Sequence, residues 1–235
     1  SPGRNWEQIR TTICYNDSNV KIAGSHAGVS VGPDGGTHQA IEDLAITRVI
    51  PRMTVISPCD SIEAKKATIA AAEMKGAVYI RLAREKTPVI TTEETPFKIG
   101  RAEVFYQPEG HPEVGIVATG ALVYKALVAA KELEEKGVNV KVLNIATIKP
   151  LDEDALITLA KECGAIVSVE EHQIAGGLGS AVAECLSKHH PVPQEFIGVK
   201  DLFGQSGQPE ELLEYYGMGI SHIKEAVKKV LHRRK

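Results

Sequence analysis

Between His26 and His38 the chain reads His-Ala-Gly-Val-Ser-Val-Gly-Pro-Asp-Gly-Gly-Thr-His, which places two imidazoles and one carboxylate, Asp34, in one short span. An imidazole titrates near neutrality and can relay a proton, while a carboxylate can accept one or pair with a hydroxyl. Gly28, Gly32, Gly35 and Gly36 rule out a regular helix here and let the backbone turn sharply and approach a ligand closely. The apolar run Val20-Lys21-Ile22-Ala23-Gly24 comes just before. Read as a strand, it puts these polar groups at a strand's carboxyl end, where open α/β sheets bind ligands. On spacing alone, the plain alternative is a glycine-rich turn with surface histidines.

The chain that must position them is of ordinary composition. It has 235 residues, 43% of them hydrophobic, enough to bury a core in one or two domains. A formal net charge of −3 gives no electrostatic case for nucleic acid or for an anionic membrane surface. No apolar run reaches the length of a membrane-spanning helix, and residues 1–10 lack a signal-peptide core. Cys14, Cys59, Cys163 and Cys185 are scattered without a Cys-Xaa-Xaa-Cys pair, so they read as buried reduced thiols and not as a zinc site or disulfide framework. The expected compartment is the cytoplasm.

Apolar, β-rich runs at 20–25, 54–57, 78–82, 114–119, 138–145, 165–169 and 195–199 alternate with helical patterns. Residues 61–75 predict a helix opened by an Asp60/Glu63 capping box and stopped by Gly76. Residues 122–136 carry Val123, Ala126, Leu127, Ala130 and Leu133 on one face, with Gly137 as the stop. Helices are also expected at 5–15, 154–163, 178–188, 210–215 and 220–231. Alternation of this kind predicts an α/β fold: two three-layer units with mainly parallel sheets. Pro88, Pro96, Pro108 and Pro112 mark a boundary, giving a first unit at 1–96, a linker at 97–111 with a short strand at 101–105, and a second unit at 112–235. The first unit opens directly on a helical pattern and is expected to be truncated at its N-terminus.

In order along the chain come Gly3-Arg4 with Trp6-Glu7-Gln8-Ile9-Arg10, then Asn19 to Ile22, then Ser25 to Gln39. Glu42-Asp43, Pro58-Cys59-Asp60, Arg81 to Arg84, Thr147 to Asp152, Val169 to His172 and Gly176 to Gly179 follow. This series resembles the transketolase family over nearly the whole chain, and what it resembles is that family's C-terminal part. The resemblance implies a pyrimidine-binding domain followed by a C-terminal domain. The implied activity is transfer of two-carbon ketol units between sugar phosphates, in the pentose phosphate pathway. It implies thiamine diphosphate as cofactor, with a divalent metal (Mg or Ca) bound by a missing N-terminal portion or subunit. It also implies a homodimer through these domains.

By position in the motif, His38 resembles the family's catalytic histidine near the cofactor's amino group. Asp34 resembles the carboxylate that pairs with the donor's hydroxyl, and a site built to pair a hydroxyl strongly rejects an analogue lacking it. His26 and Arg84 resemble the pair that meets the sugar phosphate, whose geometry a guanidinium fork matches. The plain alternative for Arg84 is a surface salt bridge. Where the family commonly has Glu, Pro33 stands between Gly32 and Asp34, so the loop loses an acid.

The family's ring-activating glutamate has no counterpart in the context of Glu7, Glu42 or Glu63, so the chain alone is expected to be inactive. Deoxyxylulose-phosphate synthases share the Gly32–His38 run but typically have Arg where His26 stands. The other alternative is a non-catalytic fragment or assembly subunit. Glu170, Glu171 and His172 are expected to form a structural network at a strand end. Gly176, Gly177 and Gly179 are expected to form a tight turn. The terminal His232-Arg233-Arg234-Lys235 reads as a solvated helix end that favours the macrodipole.

Overall fold

The computed structural model describes residues 2–234. Ser1 and Lys235, the first and last residues of the expected units, lie outside the described residues.

The chain opens on α1 (Trp6–Gln8), which continues as a π-helical Ile9–Tyr15 and buries Ile9 and Cys14. The first sheet takes β1 (Lys21–Gly24), β2 (Thr54–Ile56) and β3 (Val78–Arg81) from the first unit, with α2 (Asp43–Arg48) and α3 (Ser61–Glu73) between them. The second unit contains β4 (Glu103–Tyr106), β5 (Val114–Ala118), α4 (Val123–Glu134), β6 (Val140–Asn144) and β7 (Thr147–Lys149). It continues through α5 (Glu153–Cys163), β8 (Ile166–Gln173), α6 (Leu178–His189), β9 (Gln194–Val199), α7 (Pro209–Tyr215) and α8 (Ile220–Arg233). All the predicted strands form. β4 falls inside the expected linker and pairs antiparallel with β6 as an edge of the second sheet.

The second sheet has the order β4-β6-β5-β8-β9, parallel apart from β4. Its period-2 alternation sorts the core. Ile116, Ala118, Val142, Val167 and Val169 pack with α4 and α8, whereas Val117, Leu143 and Ile166 pack with α5 and α6. The result is a three-layer α/β/α unit.

Two findings tie the units together. The first sheet has the order β1-β3-β2-β7, so its fourth strand comes from the second unit and runs antiparallel to β2. Lys149 on β7 then donates to the carbonyls of Arg48 (2.9 Å) and Ile50 (2.5 Å) at the end of α2. Moreover, Leu44, Val55 and Tyr79 share one buried cluster with Leu156, Leu159 and Val182. The units fold against a common core.

Some local expectations need adjusting. The Asp60 side chain caps α3, accepting from Glu63 N at 2.9 Å. The return arm goes one residue further upstream than a capping box would have it: the Glu63 carboxylate accepts from Cys59 N and from Asn144 Nδ2 of β6, both at 2.7 Å. The terminal arginines are more than a solvated helix end. Arg233 donates to the Gln194 carbonyl at 2.8 Å, and Arg234 to the carbonyls of Glu113 (2.7 Å) and Cys163 (3.0 Å), so they pin α8 across the sheet. All four cysteines are free and buried. No helix among the described residues is long and apolar enough to cross a membrane.

Candidate functional site

β1 and β3 are parallel neighbours, in register from Lys21 with Val78 to Gly24 with Arg81. Their carboxyl ends therefore emerge side by side. Leu82 N donates to the Gly24 carbonyl at 2.8 Å, and Ala27 N donates back to the Leu82 carbonyl at 3.2 Å. This lacing brings His26, just past β1, and Arg84, just past β3, to one edge of the sheet. The loop after His26 closes on itself through a parallel bridge between Ala27 and Ala40.

Within the loop, residues Val29–Asp34 form two 3-10 turns joined at a kink. Gly35 N donates to the Gly32 carbonyl at 3.1 Å, closing a turn in which Pro33 holds the position whose φ its ring presets. Pro33 thus costs an acid but suits the turn that presents Asp34. A second turn follows, His38 N donating to the Gly35 carbonyl at 3.0 Å. Gln39 ties the loop down: its buried amide donates to the carbonyls of Val29 (3.0 Å) and Gln205 (2.9 Å).

Asp34 and Arg84 come together as a half-exposed ion pair, Oδ1 to Nη2, at 3.6 Å. Arg84 also donates to the Val31 carbonyl at 2.8 Å and lies 3.3 Å from the Glu85 carboxylate, so the guanidinium leans over the loop. His26 and His38 are exposed. Their rings make only local contacts, Nδ1 of His26 with Ser25 Oγ and Nδ1 of His38 with Thr37 Oγ1, each at 3.1 Å. Among the described residues neither ring bonds to Asp34 or Arg84. Beside Arg84, a cavity of about 450 Å³ opens between the units, lined by Ser57, Cys59, Arg81, Lys86, Gly120 and Glu171 among others.

Underneath lies a buried polar network to which sequence reasoning gave only a structural role. Three consecutive residues of β8 accept amide hydrogens from three different elements. Glu170 takes Leu178 N (2.7 Å) and Gly179 N (2.8 Å) at the start of α6. The carboxylate therefore occupies the helix N-terminus that follows the glycine run, the position an anion would take. Glu171 takes Ser30 N at 2.6 Å, and His172 takes Ala45 N at 3.3 Å. Gly28, at φ +89°, and Gly177 are glycines for the same reason: a Cβ on either would collide with the Glu171 or Glu170 carboxylate.

Arg81 and Asp43 form a buried ion pair at 2.9 Å, and Tyr79 donates its hydroxyl to the same Asp43 oxygen at 2.8 Å. Burial pushes the Asp43 carboxyl up, but Arg81 and its other partners outweigh it and hold it below its ordinary value. Burial drives the Glu170 carboxyl up to about 7 against its amide partners, and burial, with Arg81 adding to it, drives the His172 ring down to about 4. Arg81 was the most legible sign of this network. A cation closing a buried apolar strand needs a buried anion, since an unpaired one costs several kcal/mol.

Comparison with known proteins gives this arrangement its family. Residues 2–89 match the transketolase pyrimidine binding domain and residues 102–223 the transketolase C-terminal domain. The chain belongs to the transketolase family. Within it, the chain is 43% identical to a putative transketolase C-terminal section of Methanocaldococcus jannaschii, over 92% of this chain and 67% of that one. It is 40% identical to the 6-deoxy-6-sulfo-D-fructose transketolase subunit SqwH of a Clostridium species, over 97% of this chain and 70% of that one. A split gene transketolase, solved as an inactive β4 tetramer, superposes with a TM-score of 0.92 at 45% identity, covering 99% of this chain and 74% of that one.

Proposed function

We propose that this chain is one subunit of a split, thiamine diphosphate-dependent transketolase, and that it supplies the site for the sugar substrates. The observation that carries the reading is the Asp34–Arg84 pair, set with His26 on the adjoining carboxyl ends of β1 and β3. The relatives named as transketolase sections and subunits support it.

The side chains on this edge suit a phosphorylated polyol. Arg84 and His26 meet the phosphate, the guanidinium exchanging its contacts with Asp34 and Glu85 for phosphate oxygens. Asp34, once released, accepts a hydrogen bond from a hydroxyl of the donor and so reads its stereochemistry. His38, exposed one turn further on, relays a proton at the reacting carbonyl. Thiamine diphosphate, when bound, supplies the electron sink for carbon–carbon cleavage. The residues present do not fit the cofactor's metal: among the described residues no group of three or more His, Cys, Asp or Glu is placed to hold one. We assign metal and diphosphate to a partner chain, and place the working site where that chain meets a homodimer of this one in the cytoplasm.

The test is reconstitution. The purified chain with thiamine diphosphate and Mg is expected to give no ketol transfer from xylulose 5-phosphate to ribose 5-phosphate, and addition of the partner chain is expected to restore it. Turnover by the chain alone, or none with the partner present, overturns the reading.

A further inference from the structure

We propose that Glu171, which belongs to the second unit, is a positioning residue for the loop that carries His26, Asp34 and His38, acting through the Ser30 amide. The inference rests on reading that loop as the substrate site. Its geometry is independent of the reading.

Glu171 holds the loop at both ends. Its carboxylate accepts from Ser30 N at 2.6 Å, at the start of the two turns that present Asp34, and Gly28 leaves the space in which the carboxylate sits. Its backbone carbonyl accepts from Arg81 Nη2 at 2.8 Å, and the same nitrogen lies 3.3 Å from the Ala40 carbonyl at the loop's far end. Two residues on, Gln173 N donates to the Ile41 carbonyl at 2.8 Å. The end of β8 therefore fixes where the loop begins and where it returns.

A carboxylate is an expensive choice for this task. Glu171 is 2% exposed and Ser30 6%. Burying an ionised group costs far more than burying an amide or hydroxyl, either of which would satisfy one backbone N–H. Burial pushes the Glu171 carboxyl up while Arg81 and the Ser30 hydrogen bond oppose it; in its ionised form the hydrogen bond it accepts is shorter and about twice as strong as a neutral one. That extra strength falls on a loop with four glycines among the thirteen residues from His26 to His38, and glycine loses the most conformational freedom on ordering. Glu171 also lines the cavity beside Arg84, so loop and cavity wall share one fixed point.

The experiment uses the chain reconstituted with its partner, carrying Glu171→Ala or Glu171→Gln, and reads steady-state kinetics with hydrogen exchange. Glu171→Ala is expected to raise KM for phosphorylated donors about tenfold or more, since small misplacement of a binding group is costly. It should also blunt discrimination at the donor's hydroxyl, and Glu171→Gln should restore most of both. Amides of residues 30–38 should exchange faster in the Ala variant and only slightly faster in the Gln variant, with β5 unchanged in each. Should Glu171→Ala fail to fold, Glu171→Asp withdraws the carboxylate by one methylene and is read the same way. Unaltered exchange at 30–38, or loosening that Gln does not relieve, overturns the inference whatever the activity. Loosening with unchanged KM and selectivity overturns it as well. If exchange behaves as expected but the wild-type assembly transfers no ketol group, the positioning stands and the functional reading is what fails.

Discussion

His172 accepts a hydrogen bond from the Ala45 amide through Nε2 while its Nδ1 lies 2.7 Å from the Gln173 carbonyl. Only the neutral ring protonated at Nδ1 satisfies both partners. Burial agrees, holding the ring's pKa down to about 4, with Asp43 opposing and Arg81 adding to the effect. Between about pH 6.5, where an unfolded histidine titrates, and pH 4, the unfolded chain binds the extra proton, so this residue's contribution falls as pH falls. Glu170, raised to about 7, works in the opposite sense, stabilising the fold as pH drops through that value. The two slopes must be separated by substitution. His172→Gln keeps an acceptor and does not titrate. Relative to this variant, the wild type should lose about 3 kcal/mol between pH 7 and pH 4 in denaturant melts. A constant difference across that range would show that the ring is not held neutral.

The Asp34–Arg84 pair is a third exposed on each side and 3.6 Å long, so water screens it. A double-mutant cycle on stability with Asp34→Ala and Arg84→Ala should give a coupling below about 1 kcal/mol. The pair's value lies in binding. In the reconstituted enzyme, Asp34→Ala should cost about 1–3 kcal/mol of discrimination at the donor's hydroxyl stereocentre, the worth of one hydrogen bond to a charged acceptor. A large stability coupling with intact stereoselectivity would make the pair a structural clamp.

Arg84→Ala should separate two kinds of donor. KM for xylulose 5-phosphate is expected to rise about tenfold or more, through loss of charge-assisted hydrogen bonds to phosphate. Hydroxypyruvate, which has no phosphate, should be used almost as before. Equal loss with both donors would remove the phosphate role, because the variant would then be acting on the loop through the lost Val31 contact.

The sequence announced the strands and most of the helices because each carries its own periodicity and punctuation. Gly137 and Gly164, both at positive φ, stop α4 and α5 as their positions suggest. The short elements were silent. β7 is three residues long, and nothing local in Thr147-Ile148-Lys149 says that it joins the other unit's sheet. At the proposed site, His26, Asp34 and His38 stand out by residue type within a glycine-rich segment, whereas Arg84 was singled out only through the resemblance to the transketolase family. What holds them was not legible. Glu171 meets Ser30 across 141 positions, and Gln39 meets the Gln205 carbonyl across 166. Such partners are set by how β8 and the loop before α7 dock against the first unit, a tertiary fact with no local pattern.

The shared first sheet makes a prediction about independence. β2 lies between β3 and β7, and β7 comes from beyond the segment that separates the units. Cutting the chain there removes one partner of β2, the Lys149 contacts with Arg48 and Ile50, and the Leu156, Leu159 and Val182 side of a common core. A fragment of residues 1–96 would expose an unpaired strand and an apolar face, both of which favour aggregation. It should therefore be unfolded or self-associated, read by circular dichroism and light scattering. In the intact chain, β6 is paired on both sides by β4 and β5, whereas β1 pairs only with β3 among the described residues. Amides of β6 should accordingly exchange more slowly than those of β1. A monomeric, cooperatively melting fragment of residues 1–96, or equal protection of the two strands, would show that the first unit does not need what β7 brings.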